Sequence, residues 1–345
     1  SMGVQPLEAT MRVAGEENVE VFGKTVPAIA WDATVASMPG VRMREYVDRD
    51  GRQLKTSVSI MPGMDIEMIA ADEALAKSEL DPPELLASLM ISPGPGSVAV
   101  DDPRVLTSAV YEVTVRDGRE GAEVNLPRAG YQRVVWGDER TARVIVDLAE
   151  PVNPESDLPG PEHLASSTAV NHEDEAVQAF VAGVLGEGER GEADDEEVAE
   201  RLRTAVREHL TEKSLAIGFA TASEVVRTRE GDCSEHAVLL AAALRAAGIP
   251  SRVASGLLYV DEFLGHRNAL GGHMWTQAWI GDAWVDLDAT LPDPVVRGTD
   301  AGRITLAVST LGDDRITNEL IELAPLLGML DVKVVAAESA AAAAP

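Results

Sequence analysis

The stretch of sequence that decides the fold is TASEVVRTREGDCSEHAVLLAAALRAAGIPSRVASGLLYV, residues 221–260. An apolar run follows Asp232, and a glycine and a proline close it, so the pattern predicts a helix that begins at Asp232. The Asp232 carboxylate can accept hydrogen bonds from the first backbone N–H groups, and Glu235 can reach back as in a capping box. We therefore expect Cys233 in the first turn of this helix.

Cys233 is the single cysteine of the chain, which excludes an internal disulfide and a cysteine-rich zinc site. The unsatisfied N–H groups and the positive end of the helix dipole in a first turn favour a thiolate over a thiol. Position alone leaves two interpretations open, a nucleophile and a small residue buried at a helix start.

A thiolate nucleophile needs a proton carrier. The six histidines are His163, His172, His209, His236, His266 and His273. His273 opens the run HMWTQAWIGDAWVDLDAT, residues 273–290, in which two strand-like segments flank Gly281-Asp282. This two-residue connection predicts a β-hairpin with a type II′ turn. His236 follows Cys233 by three residues on the same helix, which leaves no room for an acyl group between them. Surface or capping roles are expected for the other four.

The hairpin register selects the residue that orients His273. Strand side chains alternate, so residues 273, 275 and 277 share a face with residues 286, 288 and 290. Asp288 is then a diagonal neighbour of His273, at a backbone separation of about 7 Å that long side chains can close. Asp286 lies one step further away and is predicted to be solvated or structural. Trp275 and Gln277 share the face of His273 and are expected to bind substrate or shield the site.

At these residues the sequence resembles the transglutaminase-like superfamily, in particular bacterial proteins with a papain-like cysteine catalytic core. The similar blocks are GDC at 231–233, AGIPSR at 247–252, GHMW at 272–275 and WVDLDAT at 284–290. The resemblance extends over about 170–335. It departs from the family pattern at Gln277, where an acidic residue is common, and at Ala289, where proline is usual.

The resemblance implies an α+β fold in which the helix that carries Cys233 packs on an antiparallel sheet. It also implies that Cys233 is the nucleophile, His273 the general base and acid, and Asp288 the residue that holds the imidazole. The expected function is acyl transfer on amide bonds of a protein or peptide through a thioester. Hydrolysis, as in a protease or amidase, and transfer to an amine, as in a transglutaminase, both stay open. The alternative is a non-catalytic protein- or peptide-binding domain.

A domain boundary is predicted near residue 155. The prolines of the stretch 150–162 restrict their neighbours and remove backbone donors, as in a linker. Before it, Asp50-Gly51 and Asp117-Gly118 each separate two strand-like segments, as in hairpins. We therefore expect a β-rich N-terminal domain at 1–155.

After this boundary the pattern changes to helical. Apolar residues recur at three- and four-residue spacing over 176–184 and 198–206, which predicts two amphipathic helices. The catalytic domain is expected at 156–335. The alanine-rich tail at 336–345 is expected to be disordered.

Composition excludes several functional classes. The net charge of the 345 residues is −29 and no basic cluster is present, which excludes a nucleic-acid-binding protein. No apolar run approaches the roughly 20 residues that cross a bilayer. HExxH, paired cysteines and glycine-rich phosphate loops are absent from the sequence, so no metal or other cofactor is expected. The first residues, Ser-Met-Gly, resemble a remnant of tag removal, so export and a cytoplasmic location both stay open, as does the oligomeric state.

Overall fold

A computed structural model describes residues 9–22, 24–35, 42–61, 64–71, 90–116, 126–152, 157–186, 193–212, 220–263, 265–291, 298–312 and 329–339. The chain divides into two compact units, 1–80 and 81–345. None of the helices in these ranges has the length and apolar character that a bilayer crossing needs.

The described part of the first unit is an antiparallel sheet in which each strand pairs with the next along the chain. Its strands are β1 (Ala9–Val21), β2 (Lys24–Val35), β3 (Arg42–Val47), β4 (Gln53–Met61) and β5 (Met64–Ile69). The hairpin predicted at Asp50-Gly51 is confirmed as the connection between β3 and β4. Gly51 has a φ of +80°, and the Asp48 carboxylate accepts from the N–H groups of Asp50 and Arg52.

The described part of the second unit combines four α-helices with two antiparallel sheets. The helices are α1 (Glu175–Leu185), α2 (Asp195–His209), α3 (Ala222–Thr228) and α4 (Cys233–Ala246). The strands are β6 (Leu106–Val115), β7 (Gln132–Trp136), β8 (Thr141–Asp147), β9 (Ser251–Phe263), β10 (His266–Ile280), β11 (Ala283–Leu287), β12 (Arg303–Ser309) and β13 (Leu330–Ser339). The sheet orders are β11-β10-β9-β12 and β13-β6-β8-β7. The expected α+β class and the two predicted helices, α1 and α2, are confirmed.

Helix α4 lies at the centre of this unit because it is apolar on all sides. Residues 237–244 are at most 2% exposed, and a helix without a polar face needs cover all round. The other three helices and strands β9 and β10 supply that cover. The helix predicted from the sequence is confirmed, and Cys233 is its first residue.

Strands β10 and β11 form the predicted hairpin, with Gln277 opposite Asp286. The turn is not of the expected type II′. Gly281 and Asp282 have φ values of +60° and +62°, and two positive φ values define a type I′ turn. Aspartate tolerates the left-handed region, so the turn changes type at the same length and the register is unaffected.

The predicted boundary near 155 falls inside the second unit, which is a correction. Two of the side-chain nitrogens of Arg252, on β9, donate to the Asp157 carboxylate at 2.6 and 2.8 Å. Trp284 Nε1 donates to the Asp157 carbonyl oxygen at 2.7 Å. These hydrogen bonds hold Asp157, at the described part of the proline-rich stretch, against strands β9 and β11, as a free linker would not be held.

Strands β6, β7 and β8 precede residue 155 and also belong to the second unit. Strand β6 pairs with β13 at the other end of the chain. Gln132, on β7, links the two sheets, because its side-chain amide donates to the Thr305 carbonyl and accepts from Thr305 N–H, both at 2.8 Å. The tail predicted to be disordered forms part of β13 as far as Ser339. Residues 340–345 and the hairpin predicted at Asp117-Gly118 lie outside the described residues.

Candidate active site

Gly231 and Glu235 shape the chain at the start of α4. Asp232 Oδ1 accepts from Ser234 N at 2.8 Å, and Glu235 Oε2 accepts from Asp232 N at 3.0 Å, which completes the predicted capping box. Gly231 has a φ of +154°, and a Cβ at this position would collide with the Glu235 side chain. The glycine before Asp232 is therefore required by the backbone and by the cap.

Three side chains from separate parts of the unit meet at this helix start. Cys233 is partly buried, and its side chain is near enough to His273, on β10, to raise the pKa of that imidazole. His273 Nε2 donates to Asp288 Oδ2 at 2.8 Å. Asp288 is fully buried just after β11, and its Oδ1 accepts from Thr290 N at 2.8 Å. Because His273 Nε2 is hydrogen-bonded to Asp288, Nδ1 is the His273 ring nitrogen that is available to exchange a proton with the Cys233 sulfur.

Opposing effects set the protonation of these side chains. Burial by itself lowers the pKa of His273, but the charges of Asp288 and Cys233 and their hydrogen bonds raise it to about 9. Burial by itself raises the pKa of Asp288, but the His273 charge and hydrogen bond, the Arg303 charge and the Thr290 N–H hold it well below its usual range. At neutral pH, His273 is therefore an imidazolium that faces an ionised Asp288.

We expect His273 to keep its proton well above the pH at which an ordinary histidine loses it. Its pKa rises from 6.5 to about 9, so the protonated ring stabilises the fold fully below pH 6.5, and this contribution is lost as the pH rises through about 9. NMR titration of the histidine rings measures this pKa, with His273→Gln assigning the signal. His163 is an internal control, because burial lowers its pKa. A His273 midpoint at or below 6.5 contradicts the prediction.

Asp286 belongs to the framework of the site. It is 2% exposed, so the structural alternative is correct and the solvated one is wrong. Its Oδ1 accepts from Trp275 Nε1 at 2.9 Å and from Gln277 Nε2 at 2.8 Å. Burial raises the pKa of Asp286. Its side chain therefore anchors two neighbours on β10, while the bond to His273 is made by Asp288.

Trp275 and Gln277 are too deeply buried to contact a substrate, which corrects that expectation. They are 1% and 0% exposed. Gln277 Oε1 accepts from Arg252 Nε at 2.8 Å, while its amide donates to Asp286. An acidic residue at 277 would place a second carboxylate beside Asp286, so glutamine suits this neighbour. The rings of Trp275 and His273 lie 6.1 Å apart, and shielding of the site by Trp275 stays a prediction.

Two other histidines serve local structure. His236 is buried, and its Nδ1 donates to the Asp232 carbonyl oxygen at 2.6 Å. His163 is buried against Trp284, and its Nδ1 accepts from Gly160 N at 2.9 Å, which is a capping role. Within the described ranges, no group of three or more His, Cys, Asp or Glu side chains is arranged to hold a metal ion.

Three charged residues that could not be assigned to the site from the sequence lie next to Asp288, on the side away from His273. They are Arg303, Asp300 and Arg104. Arg303 Nη1 lies 3.4 Å from Asp288 Oδ2, and Arg303 Nη2 lies 3.7 Å from Asp300 Oδ2. Arg104 Nη1 lies 2.6 Å from the same Asp300 oxygen. The sequence signal for this cluster is the three-residue spacing of Asp300 and Arg303, which is common in solvated segments.

Several solved structures are similar to parts of this chain. A protein assigned as a cysteine protease from Cytophaga hutchinsonii is 16% identical, covers 68% of this chain and 86% of that chain, and has a TM-score of 0.37. The periplasmic domain of TgpA from Pseudomonas aeruginosa, bound to ethylmercury, is 16% identical, with coverages of 60% and 94% and a TM-score of 0.35. Red sea bream transglutaminase is 12% identical, with coverages of 55% and 46% and a TM-score of 0.30.

Cys233, His273 and Asp288 all lie in one segment that matches a known protein family. No curated protein matches the sequence. Residues 183–289 match the transglutaminase-like superfamily, and this range contains all three side chains. Residues 183–289, which lie in the second unit with its α+β fold, are therefore similar in sequence to the transglutaminase-like superfamily.

Proposed function

We propose that this chain catalyses acyl transfer from amide bonds of a protein or peptide, through a thioester on Cys233. The observation that carries the proposal is the arrangement of His273 between Cys233, which lies at a helix start and raises the pKa of the imidazole, and the buried Asp288, which is hydrogen-bonded to it. A nucleophile, a proton carrier and a group that orients the carrier are the parts that covalent acyl transfer requires.

The first half-reaction forms the thioester. The Cys233 thiolate attacks the amide carbonyl carbon, and the C=O electron pair moves onto oxygen. When the tetrahedral intermediate collapses, the C–N bond breaks and the His273 imidazolium gives its proton to the leaving amine. The Cys233 backbone N–H lies in the first turn of α4, where it lacks an intrahelical acceptor, and it is our candidate donor to the developing oxyanion.

The second half-reaction restores the enzyme. Neutral His273 takes a proton from water or from an amine, which attacks the thioester carbonyl. The C–S bond then breaks, the product is an acid or a new amide, and the Cys233 thiolate again faces the His273 imidazolium. Asp288 stays ionised throughout, because it stabilises the imidazolium and holds the ring in one orientation.

The buried charges favour an enzyme over a binding domain. Asp288 is 0% exposed and Arg303 is 1% exposed, and burying such groups costs free energy that apolar side chains of similar volume would not. A domain that only binds peptides does not need an ionised carboxylate behind a histidine. Catalysis by Cys233 does need it.

The test is acylation with p-nitrophenyl acetate, followed by addition of cadaverine as a primary amine. We expect release of p-nitrophenolate and mass-spectrometric detection of one acetyl group on Cys233. Free acetate as the product supports hydrolysis, and acetyl-cadaverine supports amine transfer. An intact chain that never carries acetyl on Cys233 overturns the proposal.

A further inference from the structure

A row of alternating charges lies behind Asp288, inside the second unit. Arg303 and Asp300 are each 1% exposed. Arg303 lies between the carboxylates of Asp288 and Asp300, and Arg104 pairs with Asp300 from the far side. The order is therefore carboxylate, guanidinium, carboxylate, guanidinium.

We infer that Arg303 is a positioning residue that keeps Asp288 ionised and directed at His273, and that Asp300 and Arg104 hold Arg303 in place. The inference rests on the proposed function, because it assigns a role within the same site. Arg303 does not touch the reacting atoms and acts through Asp288.

The hydrogen bonds of Asp288 support an orienting role for Arg303. Oδ1 accepts from Thr290 N at 2.8 Å, and Oδ2 accepts from His273 Nε2 at 2.8 Å with Arg303 Nη1 at 3.4 Å. Donors therefore face both oxygens. The carboxylate cannot rotate away from His273 without leaving a buried donor unpaired, which is costly.

The surroundings of Arg303 fix its guanidinium in turn. Its Nε donates to the Asp300 carbonyl oxygen at 3.0 Å, and its central carbon lies 5.1 Å from the centre of the Trp275 ring. Desolvating a guanidinium is expensive, and an apolar residue of similar volume often stabilises a fold as well or better. An arginine in this place is best explained by what its charge does for Asp288.

Arg104 comes from outside the range that matches the family. It lies in the short 3-10 helix Pro103–Val105, just before β6, and its second terminal nitrogen donates to the Tyr259 carbonyl oxygen. The segment before residue 155, to which the sequence assigned no part of the catalytic machinery, thus supports the site through Asp300.

The sign of the His273 pKa shift distinguishes positioning of Asp288 from the direct effect of the Arg303 charge. Other charged groups that face this part of the site are Cys233 on α4, Asp286 on β11 and Arg203 on α2. Substitutions within the row leave these groups unchanged. Loss of the Arg303 charge by itself would raise the pKa of His273. An Asp288 that is protonated or turned away no longer stabilises the imidazolium, so the pKa of His273 falls if Arg303 is the positioning residue.

The experiment is an NMR titration of His273 in the full chain, in a Cys233→Ser background. Arg303→Met is expected to move the His273 midpoint downward by about 1 pH unit, and Asp300→Asn, which releases Arg303, to move it downward by a smaller amount. The matched control is Arg245→Met. Arg245 is also buried, but its guanidinium donates to the carbonyl oxygens of Ala165, Ser251 and Thr310. This control should lose thermal stability without moving the His273 midpoint.

A downward shift in Arg303→Met supports the inference, because the lost positive charge by itself would raise the midpoint. An upward shift or no shift means that Asp288 keeps its charge and place without Arg303, and it overturns the inference. If Arg303→Met does not fold, Arg104→Gln decides, since the Arg104 side chain is 22% exposed and tolerates substitution better. A smaller downward shift in Arg104→Gln supports the role, and an upward or unmoved midpoint overturns it.

The titration is independent of the proposed chemistry because the thiol is absent from it. With Cys233 restored, we expect Arg303→Met to slow acetylation by p-nitrophenyl acetate about 10-fold, through the misplaced Asp288. Failure of the unsubstituted chain to become acetylated overturns the proposed function. Normal acetylation together with an unmoved His273 midpoint overturns the role of Arg303 alone.

Discussion

Cys233→Ala is expected to abolish acyl-enzyme formation, with a fall in turnover of about 10⁶-fold, as when a covalent nucleophile is removed from a hydrolase. Alanine keeps the helix start, because the cap is made by Asp232 and Glu235. It removes the sulfur that faces His273. Mass spectrometry of the chain after p-nitrophenyl acetate measures the result, and thermal unfolding checks that the fold is retained.

Ser234→Ala is the matched control for this change. Ser234 is the next residue along the helix, and its hydroxyl donates to Asp232 Oδ1 at 2.7 Å. Its replacement also removes one heteroatom from the first turn, with a modest effect on the cap. Acetylation should persist in Ser234→Ala. Acetyl transfer that survives in Cys233→Ala, or is lost only in Ser234→Ala, would mean that Cys233 is not the nucleophile.

The local features of this site could be predicted because their causes lie within a few residues. Asp232 and Glu235 are three positions apart, so a capping box and a helix start at Cys233 follow from the sequence itself. The β10–β11 register follows from the length of the turn, and it selected Asp288 as the neighbour of His273. The turn type was wrong, yet its length was right, and length sets the register.

The burial of Trp275 and Gln277 could not be predicted from alternation along one strand. Alternation predicts the face of the strand on which a side chain lies. When a sheet is covered on one face only, the side chains on its other face are exposed to solvent. Strand β10 is covered on both faces. Helix α4 packs on one, and on the other the backbone at Gly130 approaches so closely that a Cβ there would collide with Gln277 and Asp286. This cover comes from a segment almost 150 residues away in sequence.

The predicted domain boundary near residue 155 was wrong because it, too, depends on contacts between segments that are far apart in the sequence. The prolines near 155 are real restrictions on the backbone, but a restricted segment can pack as well as link. Arg252 and Trp284 hold Asp157 against the sheet, and β6 pairs with β13. Pairings over such separations leave no local pattern, so neither they nor the contact of Arg303 with Asp288 could be found without the three-dimensional structure.

Asp288→Asn is expected to lower acyl transfer by about 10⁴-fold while the fold persists. Asparagine has one acceptor oxygen where Asp288 uses two, so its amide group must face either Thr290 N or the His273 and Arg303 donors. The larger effect is loss of the negative charge. The pKa of His273 then falls, since its opposing charge is gone and the positive Arg303 remains. Acetylation rates, with the His273 midpoint from NMR, measure both effects.

Asp286→Asn is the matched control, because Asp286 is equally buried on the same hairpin. The oxygen of asparagine can still accept from Trp275 Nε1 and Gln277 Nε2, the two donors that Asp286 Oδ1 serves. We expect acetylation to stay within about 10-fold of the unsubstituted chain, since no hydrogen bond to His273 is lost. The contrast between the two asparagine variants tests the orienting carboxylate directly. If Asp286→Asn slows acetylation more than Asp288→Asn, His273 depends on a carboxylate other than the one it contacts, and the proposed role of Asp288 is wrong.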